Sequence, residues 1–381
     1  MPTDSSHPHE PVEDRVWDLI DEADDMPRGP LQVALGEEAV RLADTTGDTH
    51  LAFRARQELT GYAYFSGKPE LALVTFSWCL SMCDRKPDDF HEAELFWQYK
   101  WIVSALPAFP QISRQQIEES LDDFELRYRR NGNTMRPVWL MRQRVAEMMG
   151  EPDKQDVFYA KWQDAEYDEN DDCEACETDT IADYELDRGR LEQGLKKYAP
   201  VLTGKLTCET KPHSSYGRVL QPLLQLGRLR EAKQYHDRGR EMTLPRPDQF
   251  LQSFGRHFNY LGLTGGFAEG VKMFERTVRA LVTAGDPLDH FCYLLGLRLL
   301  FDRMNRANQA PVKLRMPDGI PLPPRDDQSY PPGELLQWCE GRLDELATAF
   351  DTRNGNSRYA GDIEASRALN DLADSLASRM P

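Results

Sequence analysis

A short pattern recurs along most of the chain, and it restricts the fold more than any other feature of the sequence. A copy consists of a glycine, a position five residues later that is usually small, and a ring about four residues beyond it. The glycines are Gly29, Gly67, Gly150, Gly189, Gly227 and Gly265. Neighbouring copies lie 38 or 39 residues apart, except for one interval of 83 residues that fits two periods with a degenerate copy between them. A fixed period of roughly 20 to 50 residues is typical of repeat proteins.

Each copy of this pattern predicts a pair of antiparallel helices. Glycine readily adopts the left-handed conformation in which many helices end, so it marks the end of the first helix. The small residue lets the second helix approach the first closely. The ring lies one turn further along the same face, where it fills the space between helix pairs. Because one pair cannot bury its apolar face alone, pairs stack into a solenoid. We therefore expect an all-α fold.

The segment "LTGYAYFSGKPELALVTF" resembles the tetratricopeptide repeat (TPR) family through Leu59, Tyr62, Gly67, Ala72 and Phe76. The resemblance extends over residues 13–285, although the period here is longer than the family's ~34 residues. It implies a right-handed α-solenoid of about seven TPR-like helical hairpins, as the length of the repeat region also requires.

The two ends of the chain lack this pattern. We expect residues 1–12 to form a disordered N-terminal segment. Residues 286–381 read as a C-terminal helical cap, because the last repeat of a solenoid needs its outer face covered. Within the cap, residues 309–333 are rich in proline, which excludes a helix there. Apolar and basic residues alternate from Val312 to Met316, so we predict an extended arm.

The charge balance limits the possible partners. The 64 acidic residues outnumber the 46 basic ones, which gives a formal net charge of −18. A surface of this sign repels phosphates, so we expect neither nucleic acid nor an anionic membrane as a partner. We see no secretory signal and no apolar run near the ~18 residues of a membrane span. The seven cysteines are sparse and odd in number. We therefore expect a cytoplasmic protein with reduced thiols.

Three cysteines form the clearest candidate for a metal site. Cys173 and Cys176 have C-x-x-C spacing in the acidic stretch "NDDCEACETD", and Cys208 follows one predicted hairpin later. Because a hairpin returns the chain to its starting edge, Cys208 is expected near the pair. With His213 as fourth ligand, these residues predict a closed structural zinc site. Two alternatives stay open at this point: ordinary reduced thiols, and a redox pair.

Arginines provide the other candidate site. Arg127 and Arg130, and further along Arg256 and His257, lie in basic clusters on predicted helices. Arginines on the inner helices of a solenoid can hold an acidic peptide or a terminal carboxylate. We expect these four residues to contact a partner.

The sequence favours binding over catalysis. It lacks the metalloprotease H-E-x-x-H motif, the phosphate-binding G-x-x-x-x-G-K-[ST] motif and the G-x-S-x-G nucleophile motif. Solenoids supply extended concave surfaces that bind other proteins. We therefore predict a non-enzymatic scaffold or adaptor that binds another protein or peptide. The alternatives are a regulator that responds to a peptide or small ligand, and a metal-dependent activity near Cys173, Cys176 and Cys208.

Overall fold

The computed structural model describes residues 11–283, 286–322 and 325–378. The fold is all-α, as predicted, and the only strands in the described residues are two short ones that pair with each other. The predicted disordered segment 1–12 lies outside the described residues except for its last two, and Val12 begins the first helix. No helix in the described ranges has both the length and the apolar character needed to cross a membrane.

The chain divides into two compact units. The first unit comprises residues 11–106, 119–142 and 160–170, and the second comprises residues 107–118, 143–159 and 171–378. The helices up to residue 164 are α1 Val12–Asp24, α2 Pro30–Thr46, α3 Thr49–Phe65, α4 Pro69–Arg85, α5 Phe96–Ala105, α6 Arg114–Arg130, α7 Arg136–Met148 and α8 Pro152–Asp164, with 3₁₀ turns at Glu92–Leu95 and Leu106–Ala108.

The first unit is built from amphipathic helices. In α1, the buried residues Val16, Leu19, Ile20 and Ala23 recur every three or four positions and form one apolar stripe. Most of this stripe packs with alanines of α2 and α3 in a small core. Asp48 begins α3 by accepting hydrogen bonds from the backbone N–H groups of two residues in its first turn, at 2.8 and 3.2 Å.

The second unit contains a large core, which runs from Ala182 in the ninth α-helix to the C-terminal helix. From residue 174 onwards, the elements of the second unit are α9 Glu174–Asp187, α10 Leu191–Leu202, α11 Ser215–Arg218, α12 Leu220–Gln225, α13 Leu229–Thr243, α14 Leu251–Thr264, α15 Phe267–Thr277, α16 Ala280–Thr283, α17 Pro287–Arg306, β1 Val312–Lys313, β2 Ser329–Tyr330, α18 Pro332–Asn354 and α19 Arg358–Ala377, with a 3₁₀ turn at Pro247–Gln249. Helices α14 and α17 cross in backbone contact at Gly255 and Gly296. Helices α18 and α19 pack against α17 and belong to the same core.

The repeat glycines mostly have the predicted role. Five of them follow helix ends with φ between 70° and 73°, the left-handed conformation expected there: Gly67, Gly150, Gly189, Gly227 and Gly265. Gly29 differs, because its φ is 157° and it precedes α2.

The small positions of the repeat are buried as expected in later copies. A Cβ added to Gly194 would lie 2.4 Å from the side chain of Leu186 and 3.1 Å from the carbonyl oxygen of Ala182, so the two helices approach closely there. In the first copy, Ala34 is exposed. There the close contact is made by Gly36, whose added Cβ would lie 2.9 Å from the ring of Tyr62.

The predicted extended arm at 309–333 contains the two strands. They are antiparallel, with Val312 opposite Tyr330 and Lys313 opposite Ser329. Leu314 and Tyr330 are buried in the main core of the second unit. Alternation in the arm therefore reflects one face packed against the protein and one face in solvent.

Candidate functional site

The three cysteines predicted as metal ligands lie together in the second unit. Cys173 immediately precedes α9 and Cys176 lies in its first turn, while Cys208 lies in the loop after α10. The sulfur atoms of all three lie within 4.8 Å of one another. The α9–α10 hairpin returns the chain to the start of α9, which is the arrangement expected from the sequence.

The fourth predicted ligand, His213, does not join this group in the described residues. Its ring stacks on Phe250 with the centroids 5.8 Å apart. Its Nδ1 is buried without a hydrogen-bond partner, and burial lowers the pKa of its imidazole. The structure thus brings together three of the four residues.

The thiols of this cluster interact directly. The Sγ atoms of Cys176 and Cys208 lie 3.5 Å apart, within hydrogen-bond distance. The hydrogen bond between the two thiols lowers the pKa of Cys208 and raises the pKa of Cys176, and burial adds to the rise at Cys176. A Cys208 thiolate is therefore favoured in the free protein, and thiolate is the form that coordinates metals. Three converging sulfurs are compatible with a soft or borderline metal ion.

Two of the predicted partner-binding arginines are paired within the first unit. Arg127 is only 7% exposed, and its guanidinium contacts Asp84, Glu92 and Asp123 at 2.7–2.9 Å. Arg130 pairs with Glu92 as well. Their charges connect α4, α6 and the 3₁₀ turn. Arg127 is therefore enclosed by its own acids, whereas the side chain of Arg130 is 51% exposed.

Arg256 has a different environment. It projects from α14 into a groove of about 350 Å³ in the second unit, which we call the arginine groove. Its lining residues are Asp183, Leu186, Asp187, Gly189, Leu191, Gly217, Arg218, Gln221, Pro222, Gln225, Arg256 and Asn259. Arg218 donates to Asp183 at 2.9 Å. Among the described residues, Arg256 makes neither a salt bridge nor a hydrogen bond.

The electrostatics of the arginine groove reflect its enclosure. Burial, followed by the nearby charge of Arg218, lowers the pKa of Arg256. Burial also raises the pKa of Asp183. The Oδ1 atom of Asn259 is buried and has no hydrogen-bond partner in the described chain. The groove therefore combines a guanidinium that has the Asp183 charge nearby, but no direct ion pair or hydrogen bond in the described residues, with an unused acceptor.

His257, the neighbour of Arg256, points into the core and is fully buried. Its Nδ1 lies 3.0 Å from Nδ1 of His236, and Nε2 of His236 lies 3.3 Å from Glu269. Burial lowers the pKa of both histidines. His257 thus belongs to an internal polar pair and has no surface to offer a partner.

The sequence prediction included Arg256 but missed its surroundings. Arg218 has no distinguishing local motif. The signals that were available are the spacings on two helices: Arg256 and Asn259 are three residues apart, and Gln221 and Gln225 are four apart. Such spacings place side chains on one helix face.

No protein-family model matches this chain, and no curated protein matches it.

Proposed function

We propose that the chain is a protein–protein interaction scaffold or adaptor that holds an acidic segment of a partner in the arginine groove. The observation that carries this proposal is the guanidinium of Arg256, which lines the groove and makes no direct ion pair or hydrogen bond with any described residue. Arginines that are largely enclosed by protein normally pair with a carboxylate or phosphate, because desolvating a lone charge is costly. A carboxylate from outside would supply the missing partner through a charge-assisted hydrogen bond.

The lining of the arginine groove favours a peptide over a small organic ligand. Pockets for small ligands are predominantly apolar and aromatic, whereas no residue of this lining is aromatic. The amides of Gln221, Gln225 and Asn259 can each donate and accept, so they suit the backbone groups of an extended peptide.

The proposed architecture is that of a helical repeat. The helix pairs α3–α4, α9–α10, α12–α13 and α14–α15 each turn at a left-handed glycine. These pairs support a right-handed, TPR-like solenoid of about seven hairpins with a C-terminal helical cap. The proposal includes a cytoplasmic location, in which the thiols would stay reduced.

Charge reversal at Arg256 tests the proposed function. The wild-type protein, Arg256→Glu and Arg230→Glu would each be used to enrich partners from the native host. Arg230 is an exposed residue of α13 outside the groove, so it controls for the change in net charge. A partner retained by wild type and by the Arg230 variant would then be purified and its Kd measured calorimetrically.

We expect Arg256→Glu to weaken that Kd by at least tenfold, about 1.4 kcal/mol. Equal affinity for all three proteins would rule out the groove as the binding surface.

The three-cysteine cluster supports a second proposal, a zinc ion bound by Cys173, Cys176 and Cys208. The cluster is carried by a helix start and a distant loop, so a shared ion would fasten the loop to α9. Metal analysis and native mass spectrometry should find one zinc per chain. The ion should be lost from Cys176→Ser and retained by Cys292→Ser, whose thiol lies outside the cluster. A wild-type protein without metal would contradict this proposal.

A further inference from the structure

We infer that the metal of the three-cysteine cluster has an open fourth coordination position that accepts a neutral donor, either water or an imidazole. This inference rests on the zinc centre proposed above. An open position differs from the closed structural site that the sequence predicts. The reason for it is the set of residues around the three sulfurs.

The spacing of the sulfurs fits three corners of a tetrahedron. Zinc–thiolate bonds of about 2.3 Å place the ligands of a tetrahedral site about 3.8 Å apart. The Cys176–Cys208 distance is already 3.5 Å, and the remaining sulfur pairs lie within 4.8 Å. One ion can therefore contact all three sulfurs after small side-chain adjustments, and a tetrahedral ion then requires one more ligand.

The described part of the chain offers no fourth His, Cys, Asp or Glu ligand at this distance. No imidazole or carboxylate joins the three sulfurs within 4.8 Å. The Asp179 carboxylate accepts hydrogen bonds from Lys211 and Ser215. Glu209 pairs with Arg246 at 3.2 Å. His213 is stacked on Phe250, as described above.

Solvent can reach the cluster. Cys173 is exposed, while Cys176 and Cys208 are half-buried. An incoming ligand would therefore approach from the side of Cys173. Three protein ligands with one accessible position is the arrangement of zinc sites that exchange a ligand, whereas closed structural sites use four protein ligands.

The charge of the site selects the ligand. Three thiolates and one Zn²⁺ carry a net charge of −1, and the adjoining segment adds Glu174 and Glu177, while Asp172 is paired with Arg144 at 2.8 Å. The nearby ammonium group of Lys211 is paired with Asp179. An anionic fourth ligand would meet repulsion from these groups, but a neutral donor would not.

Cobalt substitution tests the open position in the full-length protein. Co²⁺ reports its ligands through its visible absorption, so the Co²⁺-loaded protein would be titrated with imidazole and separately with azide. We expect imidazole to shift the spectrum saturably, and azide to bind at least about tenfold more weakly because of its charge. His213→Ala should give the same spectrum and the same imidazole response as wild type.

Each contrary result has a separate meaning. Failure to bind Co²⁺ and Zn²⁺ would refute the zinc centre itself. Binding of Co²⁺ with no imidazole response, together with a spectrum changed by His213→Ala, would show that His213 closes the site. No response in either experiment would assign the fourth ligand to another group of the chain. Closure by His213 and closure by another group would each overturn the open position and leave the zinc centre intact. Equal affinity for azide and imidazole would refute selection by charge.

Discussion

Substitution of Gly296 by alanine should destabilise the second unit strongly. Gly296 lies where α17 crosses α14, and an added Cβ would be 1.9 Å from the carbonyl oxygen of Gly255 and 2.5 Å from its carbonyl carbon. Ordinary contacts of a Cβ begin near 3.4 Å. The obstructing atoms belong to the backbone, so no side-chain rotation relieves the clash. The helices would have to separate by roughly 1.5 Å at the crossing, which is a costly form of overpacking.

The loss in free energy of unfolding can be judged from the packing that this separation of the helices weakens. A gap of about 0.5 to 1 Å already removes a quarter to a half of the dispersion energy of a contact. The crossing carries buried rings on both sides, including Phe258 and Tyr293 with centroids 5.2 Å apart. Overpacking costs about 1–3 kcal/mol or more, and a rigid backbone clash belongs at the upper end. Part of this loss is offset, because alanine stabilises a helix by about 0.5–1 kcal/mol relative to glycine. We expect a net loss of about 2–3 kcal/mol.

Gly341→Ala is the matched control. Gly341 lies within α18, and an added Cβ there would meet no atom within 4 Å. Only helix propensity changes, so this variant should gain about 0.5–1 kcal/mol. Urea denaturation followed by circular dichroism at 222 nm would give both free energies of unfolding. If Gly296→Ala were as stable as Gly341→Ala, that result would contradict the close backbone contact between α14 and α17.

Three other outcomes are expected. Because burial lowers the pKa of His257 below its usual 6.5, the unfolded state binds more protons in acid. The free energy of unfolding, measured by urea denaturation, should therefore fall as pH drops below about 6.5, by up to ~1.4 kcal/mol per pH unit, and His257→Gln should flatten that slope. Arg127→Ala removes the buried cation shared by Asp84, Glu92 and Asp123 and should cost about 2–4 kcal/mol in chemical denaturation, whereas Arg129→Ala, at a 62% exposed side chain, should stay within about 0.5 kcal/mol of wild type. A zinc chelator should lower the free energy of unfolding of wild type by at least about 2 kcal/mol and leave Cys176→Ser unchanged, as thermal and urea denaturation would show.

The sequence predicted those parts of the fold that depend on local chemistry. A glycine after a helix has a local conformational reason, so the turns at Gly67 and its counterparts follow from spacing alone. The crossing of Gly255 and Gly296 does not, because the two residues are distant in sequence and neither lies in a distinctive motif. The pairing of Val312 with Tyr330 likewise depends on the core beneath the arm.

The candidate sites divide in the same way. Cys208 was predicted near Cys173 and Cys176 because one hairpin separates them, and hairpin geometry is simple. His213 lies in a less regular loop, where stacking on Phe250 determines the direction of its ring. The contrast between the paired Arg127 and the unpaired Arg256 also depends on neighbours from other helices, which composition does not reveal.

Helix α9 connects the two candidate sites of the second unit. Cys173 and Cys176 lie at its start, whereas Asp183 and Asp187 lie in its later turns and line the arginine groove. No side chain caps the start of α9 by a hydrogen bond. The sulfur atoms there lie at the positive end of the helix dipole, and a bound ion would fix the first turn in place of a cap. A metal that orders α9 would also order the acids that hold Arg218. Any such effect must be reciprocal, so a partner in the groove would strengthen metal binding by the same factor by which the metal strengthens partner binding.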